Sequence, residues 1–356
     1  MDFVSTDFSI IYTPLDTVEP ISLRRTSYYS IPGLYTLLDS SSMEASGILS
    51  THSSPALGNR GRGVLIGIID TGIDYTNPLF RNPDGTTRIN SIWDQSLPED
   101  KTLIPPGVPN RYNASGATYG TEYTREQINQ ALESDDPLAL VPSTDTNGHG
   151  TFLAGIAAGG FLHEEDFTGA APECELLIVK LKPAKQYLRD FYLVSSDADA
   201  YQENDIMMGI KYLRVEAFSR GKPLVILLGI GSNLGSHEGT SPLSVMLQDI
   251  SRYLGTATVI AAGNETGRGH HYMGTIPTGE SSVDVEIRVG QPESQRGFVV
   301  ELWASTIDTY SVGFLSPSGE TISRIPIIAG NETSIPFLLE PTVITVTVSY
   351  THLRAH

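Results

Sequence analysis

Short, continuous apolar runs recur along the middle of the chain. They lie at residues 64–69, 176–181, 224–228 and 257–262 and are rich in valine, isoleucine and leucine. Runs of about six such residues are typical of strands that are buried on both faces of a sheet. The pattern therefore predicts core strands of a parallel sheet.

Two segments between the later runs carry apolar residues at helical spacing. The first begins near residues 204–205 and ends at Gly221, and the second ends at Gly255. Their periodic residues are Ile206, Ile210, Leu213 and Ala217 in the first segment and Leu243, Leu247, Ile250 and Leu254 in the second. Strands that alternate with helices predict an α/β fold, a doubly wound parallel sheet covered on both faces. In such sheets functional groups lie at the carboxyl ends of the strands.

Asp70 directly follows the first apolar run, within the tripeptide Asp-Thr-Gly. Aspartic proteases and subtilisin-like serine proteases both carry this tripeptide after a hydrophobic strand. An aspartic protease needs two such aspartates that share a proton. The chain has no second copy, since residues 145–147 read Asp-Thr-Asn. The parallel pattern and the missing copy both disfavour the aspartic protease.

His149 begins a predicted helix of small residues in the stretch DTNGHGTFLAGIAAG. An isolated histidine there would most often cap a core helix. Asn264 follows the run at 257–262, where its amide could donate to an oxyanion or simply form a turn. The chain order of Asp70, His149 and Asn264 favours catalysis over either structural reading.

With these motifs, the sequence resembles the subtilisin-like serine proteases (peptidase S8), from about residue 57 to residue 279. Stretches such as YGTEYTREQI, VKLKPAKQYLRDFY and GNETGRGHHY are similar to the clostridial spore-germination (Csp-type) subtilases. The resemblance implies a three-layer subtilisin-like fold, Asp70 and His149 as triad residues, and Asn264 as the oxyanion donor. It also implies an acyl-enzyme mechanism and a polypeptide substrate, namely a spore cortex-lytic pro-enzyme activated during germination.

The resemblance also implies a substrate-binding edge at Gly229, Ile230 and Gly231, which would hold an extended peptide by β-augmentation. Many family members have Ser-Leu-Gly where this chain has Gly-Ile-Gly. A dinucleotide fingerprint is the rival interpretation of this glycine-rich stretch. That fingerprint requires a third glycine at position 234, where the chain has Leu234, so we expect no nucleotide cofactor.

The composition of the chain limits the classes of binding partner that are expected. The chain of 356 residues has 23 basic and 41 acidic residues, a formal net charge of −18, which disfavours nucleic acid and anionic membranes. No signal peptide or apolar span is apparent, so the sequence predicts an intracellular protein, and the resemblance implies one packaged in the spore. The adjacent His270 and His271 diverge and predict a solvated loop and no metal site.

Four regions are predicted along the chain. Residues 1–56 form an N-terminal arm or a propeptide remnant, and residues 57–280 form the catalytic domain. Residues 281–349 alternate with a period of two, for example at 283–289, at 298–303 and around a turn at 316–320. The resemblance identifies them as the start of an inserted jelly-roll domain. Residues 350–356 break the alternation and are expected to be a non-native tail.

No Gly-Thr-Ser that would carry the nucleophile follows Asn264, and the one at residues 239–241 precedes it. The chain is therefore expected to be truncated, to lack its serine and to be inactive by itself. The intact parent is expected to be a serine endopeptidase. A catalytically dead pseudoprotease that acts as a germination sensor or binding module is the alternative.

Overall fold

The computed structural model describes residues 1–4, 8–14, 21–22, 26–27, 30–32, 34–37, 59–98, 116–161, 167–265, 267–289, 297–304, 310–326, 328, 330 and 332–348. Its strands are β1 (Asp2–Phe3), β2 (Ser9–Ile10), β3 (Leu34–Leu37), β4 (Leu65–Asp70), β5 (Ile89–Asp94), β6 (Thr121–Thr124), β7 (Glu175–Lys180), β8 (Tyr201–Gln202), β9 (Leu224–Leu228), β10 (Ile230–Gly231), β11 (Thr256–Ile260), β12 (Ser311–Leu315), β13 (Thr321–Pro326), β14 (Glu332–Pro336) and β15 (Val343–Thr347). Its helices are α1 (Arg125–Leu132), α2 (Pro137–Leu140), α3 (His149–Ala158), α4 (Gln186–Phe191), α5 (Glu203–Arg220) and α6 (Pro242–Ile250), with a short 3-10 helix at Pro78–Phe80.

A six-stranded sheet forms the centre of the fold, in the order β11-β9-β4-β7-β5-β6. The strands from β11 to β5 are parallel to their neighbours, and β6 is antiparallel to β5. The four apolar runs of the sequence are β4, β7, β9 and β11. Strand β11 is not buried on both faces as predicted, because it lies at the edge of the sheet and leaves Val259 and Ile260 about half exposed. The predicted α/β fold is confirmed, with the correction that the sheet is mixed and carries one antiparallel edge strand.

Strand β5 is fully buried although half of its residues are polar. Asp94 accepts hydrogen bonds from the Ser143 hydroxyl at 2.7 Å and from the Ser96 N–H at 2.9 Å. Asn90 donates to the Glu175 carboxylate at 2.8 Å. Buried polar groups are tolerated when they are hydrogen-bonded. These partners allow a strand with no continuous apolar run to lie inside the sheet.

Helices cover both faces of the sheet, in three layers. Ile68 and Ile69 are neighbours in β4, so their side chains point to opposite faces. Ile69 packs in one core with Leu213 of α5, and Ile68 packs in the other with Ala154 of α3. Gly67 allows α5 to approach closely, since a Cβ there would lie 2.6 Å from a Leu213 methyl group. The α5 and α6 layer is therefore opposite the α1 and α3 layer.

Both predicted helices are present, but only one of them ends where the sequence predicts. Helix α5 ends as expected at Gly221, which has a left-handed φ of 60°. Helix α6 ends at Ile250, before the expected end at Gly255. The hydroxyl of Ser251 donates to the Leu247 carbonyl at 2.8 Å, and Leu254 beyond it is fully exposed. The periodic spacing of Leu254 therefore did not place it in the helix.

The described residues after 280 include two antiparallel pairs, β12 with β13 and β14 with β15. The predicted turn at 316–320 joins the first pair, where the Ser316 N–H donates to the Glu320 carbonyl at 2.9 Å. The expected strands at 283–289 and 298–303 are wrong for this structure, because neither segment lies in a described strand. Alternation forms a strand only where a partner offers backbone hydrogen bonds. The jelly-roll domain stays a prediction.

The N-terminal region contributes short strands to the described structure. Strand β1 pairs with β2, and Val4 beside them joins the core on the α5 side. Strand β3 pairs with both β8 and β10. The four domain boundaries stay predictions, and the expected tail at 350–356 lies outside the described residues. Among the described helices, none has both the length and the apolar content needed to span a bilayer.

Candidate active site

Asp70 is the last residue of β4 and lies at the carboxyl edge of the sheet. Its side chain is 1% exposed. Oδ1 accepts the N–H of Thr71 at 2.7 Å and lies 2.9 Å from Nδ1 of His149. A carboxylate at this nitrogen holds the imidazole in the tautomer whose Nε2 can accept a proton. The expected contact is present, and its catalytic meaning stays a prediction.

His149 is the first residue of α3, as the sequence predicts. The beginning of this helix packs closely on the residues after β4. The Gly150 N–H donates to the Thr71 hydroxyl at 2.9 Å. A Cβ on Gly150 would lie 2.3 Å from the carbonyl oxygen of Gly72, so only glycine permits this approach. The glycine after His149 therefore brings the imidazole within reach of Asp70.

Asp145 fixes the loop that leads into α3. Its carboxylate accepts from the Gly148 N–H at 2.9 Å and from the N–H and hydroxyl of Thr151 at 2.8 and 2.7 Å. Burial opposes the ionisation of Asp145, but the hydrogen bonds from Thr151 and Gly148 outweigh it and lower its pKa. The charged carboxylate thus holds both sides of His149 in place.

Replacement of Asp145 by alanine is expected to lower the free energy of unfolding at pH 7 by about 1–2 kcal/mol, since three donors lose their acceptor. Urea denaturation measures this loss. Asp84 provides a matched control, because it also accepts from the N–H and hydroxyl of a threonine, Thr86, but in an exposed turn. An equal loss of unfolding free energy in Asp84→Ala would show that Asp145 stabilises the fold no more than the same contacts do in an exposed turn.

The same variant has a pH dependence of known sign. Because the folded pKa of Asp145 is lowered, its stabilisation is present above the ordinary carboxyl value and is lost as the pH falls through the folded value. The difference in unfolding free energy between wild type and Asp145→Ala should therefore shrink at acid pH. A difference that grows at acid pH would contradict the assignment.

The predicted substrate-binding edge already pairs with an extended segment of the chain. Gly231 is opposite Thr36 and Ile230 is opposite Leu37 in an antiparallel register between β10 and β3. The other edge of β3 pairs with β8. Because β3 is antiparallel to β10, its carboxyl end at Leu37 points towards Gly229. A Cβ added to Gly229 would lie 3.4 Å from Cε1 of His149. The edge and the Asp–His pair are therefore adjacent.

Asn264 follows β11, the strand next to β9, at the carboxyl edge of the sheet. The N–H of Ala261 donates to the Leu228 carbonyl at 3.0 Å, so the two strands stay together almost to this point. A cleft of about 430 Å³ beside it is lined by residues from the loops after β10 and β11, including Ser232, Asn233 and Glu265. Asn264 thus lies at the predicted edge, and its oxyanion role stays a prediction.

The neighbouring histidines contact other side chains in this cleft. His270 is paired with Glu265, and the ring of His271 lies 4.8 Å from that of His237. His270 and His271 are both exposed, as expected for a solvated loop. No group of three or more potential metal ligands occurs among the residues that the structure describes.

The field around the Asp–His pair is acidic. Burial raises the pKa of Tyr201, and the nearby carboxylates of Asp199, Asp70 and Asp145 raise it further. Asp199 accepts from the Asn147 amide at 2.9 Å, two residues before His149. The Asp70–His149 pair is therefore surrounded by negative charge.

Ser241 is placed away from this site. Its hydroxyl accepts the Ser244 N–H at 3.1 Å and caps the N-terminus of α6. Helix α6 lies on the opposite face of the sheet from α3, which begins with His149. The Gly-Thr-Ser at 239–241 is therefore a helix cap, as the sequence order suggests.

Some residues of the site were not singled out from the sequence. Thr71 lies in the motif DTG, and Asp145 lies in the motif DTNGHGT. Their polar side chains next to the candidates Asp70 and His149 are the sequence signal by which they could have been found. The strand β3 offered no such signal.

Comparisons with known proteins agree with this geometry. The chain is 26% identical to the Clostridium perfringens CspB protease, whose structure matches with a TM-score of 0.58 over 81% of this chain and 53% of that one. It is 24% identical over 270 residues to the PII-type proteinase of Lacticaseibacillus paracasei, covering 75% of this chain and 12% of the relative. It is 29% identical over 149 residues to the subtilisin-like protease SBT1.9 of Arabidopsis thaliana, 38% of this chain and 18% of the relative.

The chain spans about half of the solved CspB protease and a smaller share of the two other relatives. The subtilase family, peptidase S8, matches residues 61–319, which is more than half of the chain. This match includes β4, α3, β9 and β11, the elements that carry the candidate site. The predicted family is therefore confirmed, and the chain belongs to the subtilase family.

Proposed function

We propose that the intact protein is a serine endopeptidase in which Asp70 and His149 are two members of the catalytic triad. One observation carries the proposal: the 2.9 Å contact between Oδ1 of the buried Asp70 and Nδ1 of the partly buried His149 at the carboxyl edge of the sheet. Family membership supports the same reaction. The nucleophilic serine is assigned to a part of the protein outside these 356 residues.

In this mechanism the serine oxygen bonds to the peptide carbonyl carbon while His149 Nε2 takes the hydroxyl proton. Asp70 stabilises the resulting imidazolium, and the amide of Asn264 donates to the oxyanion. The C–N bond then breaks, and His149 returns the proton to the leaving amine. Water attacks the acyl-enzyme by the same route and restores the serine.

The substrate is proposed to bind as an extended strand along Gly229, Ile230 and Gly231. The antiparallel pairing of β3 with this edge supports the proposal, because the edge already accepts an extended backbone. The same pairing supports an inhibitory propeptide role for the N-terminal region, since β3 occupies the place that a substrate would take. The likeness to Csp-type subtilases supports a spore cortex-lytic pro-enzyme as substrate and a location inside the spore.

Replacement of Asn264 by alanine is expected to lower kcat for peptide hydrolysis by about 10²–10³, with little change in KM, because the oxyanion donor acts mainly in the transition state. Steady-state kinetics of the intact protein with an unfolded polypeptide measure both constants. Asn82→Ala is a suitable control, since the Asn82 amide donates to the Thr86 hydroxyl at 2.9 Å in the turn before β5, at the amino edge of the sheet. An unchanged kcat would remove Asn264 from the mechanism.

A further inference from the structure

Gly229 and Leu153 meet beside the Asp70–His149 pair. A Cβ on Gly229 would lie 2.1 Å from Cδ1 of Leu153, 3.2 Å from Oδ2 of Asp70 and 3.4 Å from Cε1 of His149. The Leu153 methyl group thus occupies the space into which any side chain at position 229 would extend. Leu153 is 6% exposed and follows His149 by four residues on α3, so both side chains lie on one helix face.

The two oxygens of Asp70 have different surroundings. Oδ1 accepts from Thr71 and contacts His149, whereas Oδ2 is buried and accepts no hydrogen bond from the described residues. A buried carboxylate oxygen without a donor is uncommon, because its lost hydration is not replaced. Here it lies next to Gly229, where a serine or threonine hydroxyl would be close enough to donate.

We infer that Leu153 and Gly229 are positioning residues that keep donors and water away from Oδ2 of Asp70, so that only the Thr71 N–H competes with His149 for the charge of this carboxylate. A carboxylate that accepts fewer competing hydrogen bonds stabilises a neighbouring imidazolium more strongly, and apolar cover strengthens the attraction. The inference rests on the proposed function, in which His149 is the base. Both residues act through Asp70.

Other ionisable groups lie on several of the elements around the pair. Asp145 lies before α3, and Asp74 lies after β4, where its N–H donates to the Thr151 hydroxyl at 2.9 Å. Lys180 ends β7, while Tyr201 lies in β8 and Asp199 just before it. None of these groups is changed in the variants below, so a change in the titration of His149 reports the surroundings of Asp70.

Two double variants that differ by one hydroxyl test the inference. Leu153→Ala removes the obstructing methyl group in both, and position 229 becomes serine in one and alanine in the other. NMR of the ¹³C-histidine-labelled 356-residue chain measures the imidazole titration, with His149→Gln identifying the signal. We expect the pKa of His149 to be lower by about 1 unit in Gly229→Ser/Leu153→Ala than in Gly229→Ala/Leu153→Ala, a tenfold loss of proton affinity. Equal pKa values would overturn the inference.

Single variants give a second test that leaves the glycine intact. Leu153→Ala opens the site to water and should lower the pKa of His149 by about half a unit, whereas Leu153→Met keeps the cover and should leave it unchanged. Thermal unfolding establishes that each chain is folded. A wild-type titration in Leu153→Ala would overturn the inference. That result would not affect the peptidase mechanism, whose failure would appear as full activity in His149→Ala.

Discussion

Replacement of His149 by alanine is expected to lower kcat for peptide hydrolysis by about 10⁶ in the intact protease, nearly as much as loss of the nucleophile. The serine hydroxyl is a weak nucleophile unless a base removes its proton as it attacks. In the proposed mechanism the 2.9 Å contact with Asp70 orients the imidazole of His149, and the glycine after His149 permits the close approach. Single-turnover kinetics with an acyl substrate measure the loss in the chemical step.

Asp70→Asn extends this prediction, because the amide can donate to Nδ1 and favour the wrong imidazole tautomer. The expected loss in kcat is about 10⁴, smaller than that for His149→Ala. Asp84→Asn, in an exposed turn, serves as the control and should retain wild-type activity. Losses below about tenfold in both active-site variants would show that Asp70 and His149 are structural and not catalytic.

The parallel core of the sheet could be predicted because four of its strands are apolar runs. Strand β5 could not, since Asn90 and Asp94 interrupt its pattern and depend on partners distant in the sequence, Glu175 and Ser143. The end of α6 differs from the prediction for a local reason. The spacing of Leu254 fits the helix, but a turn at Ser251 leaves that side chain in solvent.

The Asp70–His149 contact could be predicted because the resemblance to the subtilases implies that both are triad residues, and because Asp70 ends a strand at the edge of the sheet where functional groups lie. The pairing of β3 with β10 could not, because a backbone ladder depends on register and leaves little trace in side-chain type. The packing of Leu153 over Gly229 was also hidden, since an apolar residue in a small-residue helix is usual for a core.

Ser241 is expected to stay unreactive towards a fluorophosphonate, which labels serines activated by a base. Its hydroxyl accepts the Ser244 N–H at 3.1 Å and donates to the Ser244 hydroxyl at 2.8 Å. It begins α6, on the other face of the sheet from His149. Without an activating base, the reactivity of this serine should be lower than that of a triad serine by about 10⁶. The 356-residue chain alone should therefore remain unlabelled.

Mass-spectrometric mapping of the fluorophosphonate adduct tests the triad assignment most directly. In the intact protease we predict one labelled serine, in a Gly-Thr-Ser that begins a helix after Asn264 in the chain, and loss of labelling in His149→Ala. A label on Ser241, or a label that persists at full rate in His149→Ala, would contradict the assignment of Asp70 and His149 to a catalytic triad.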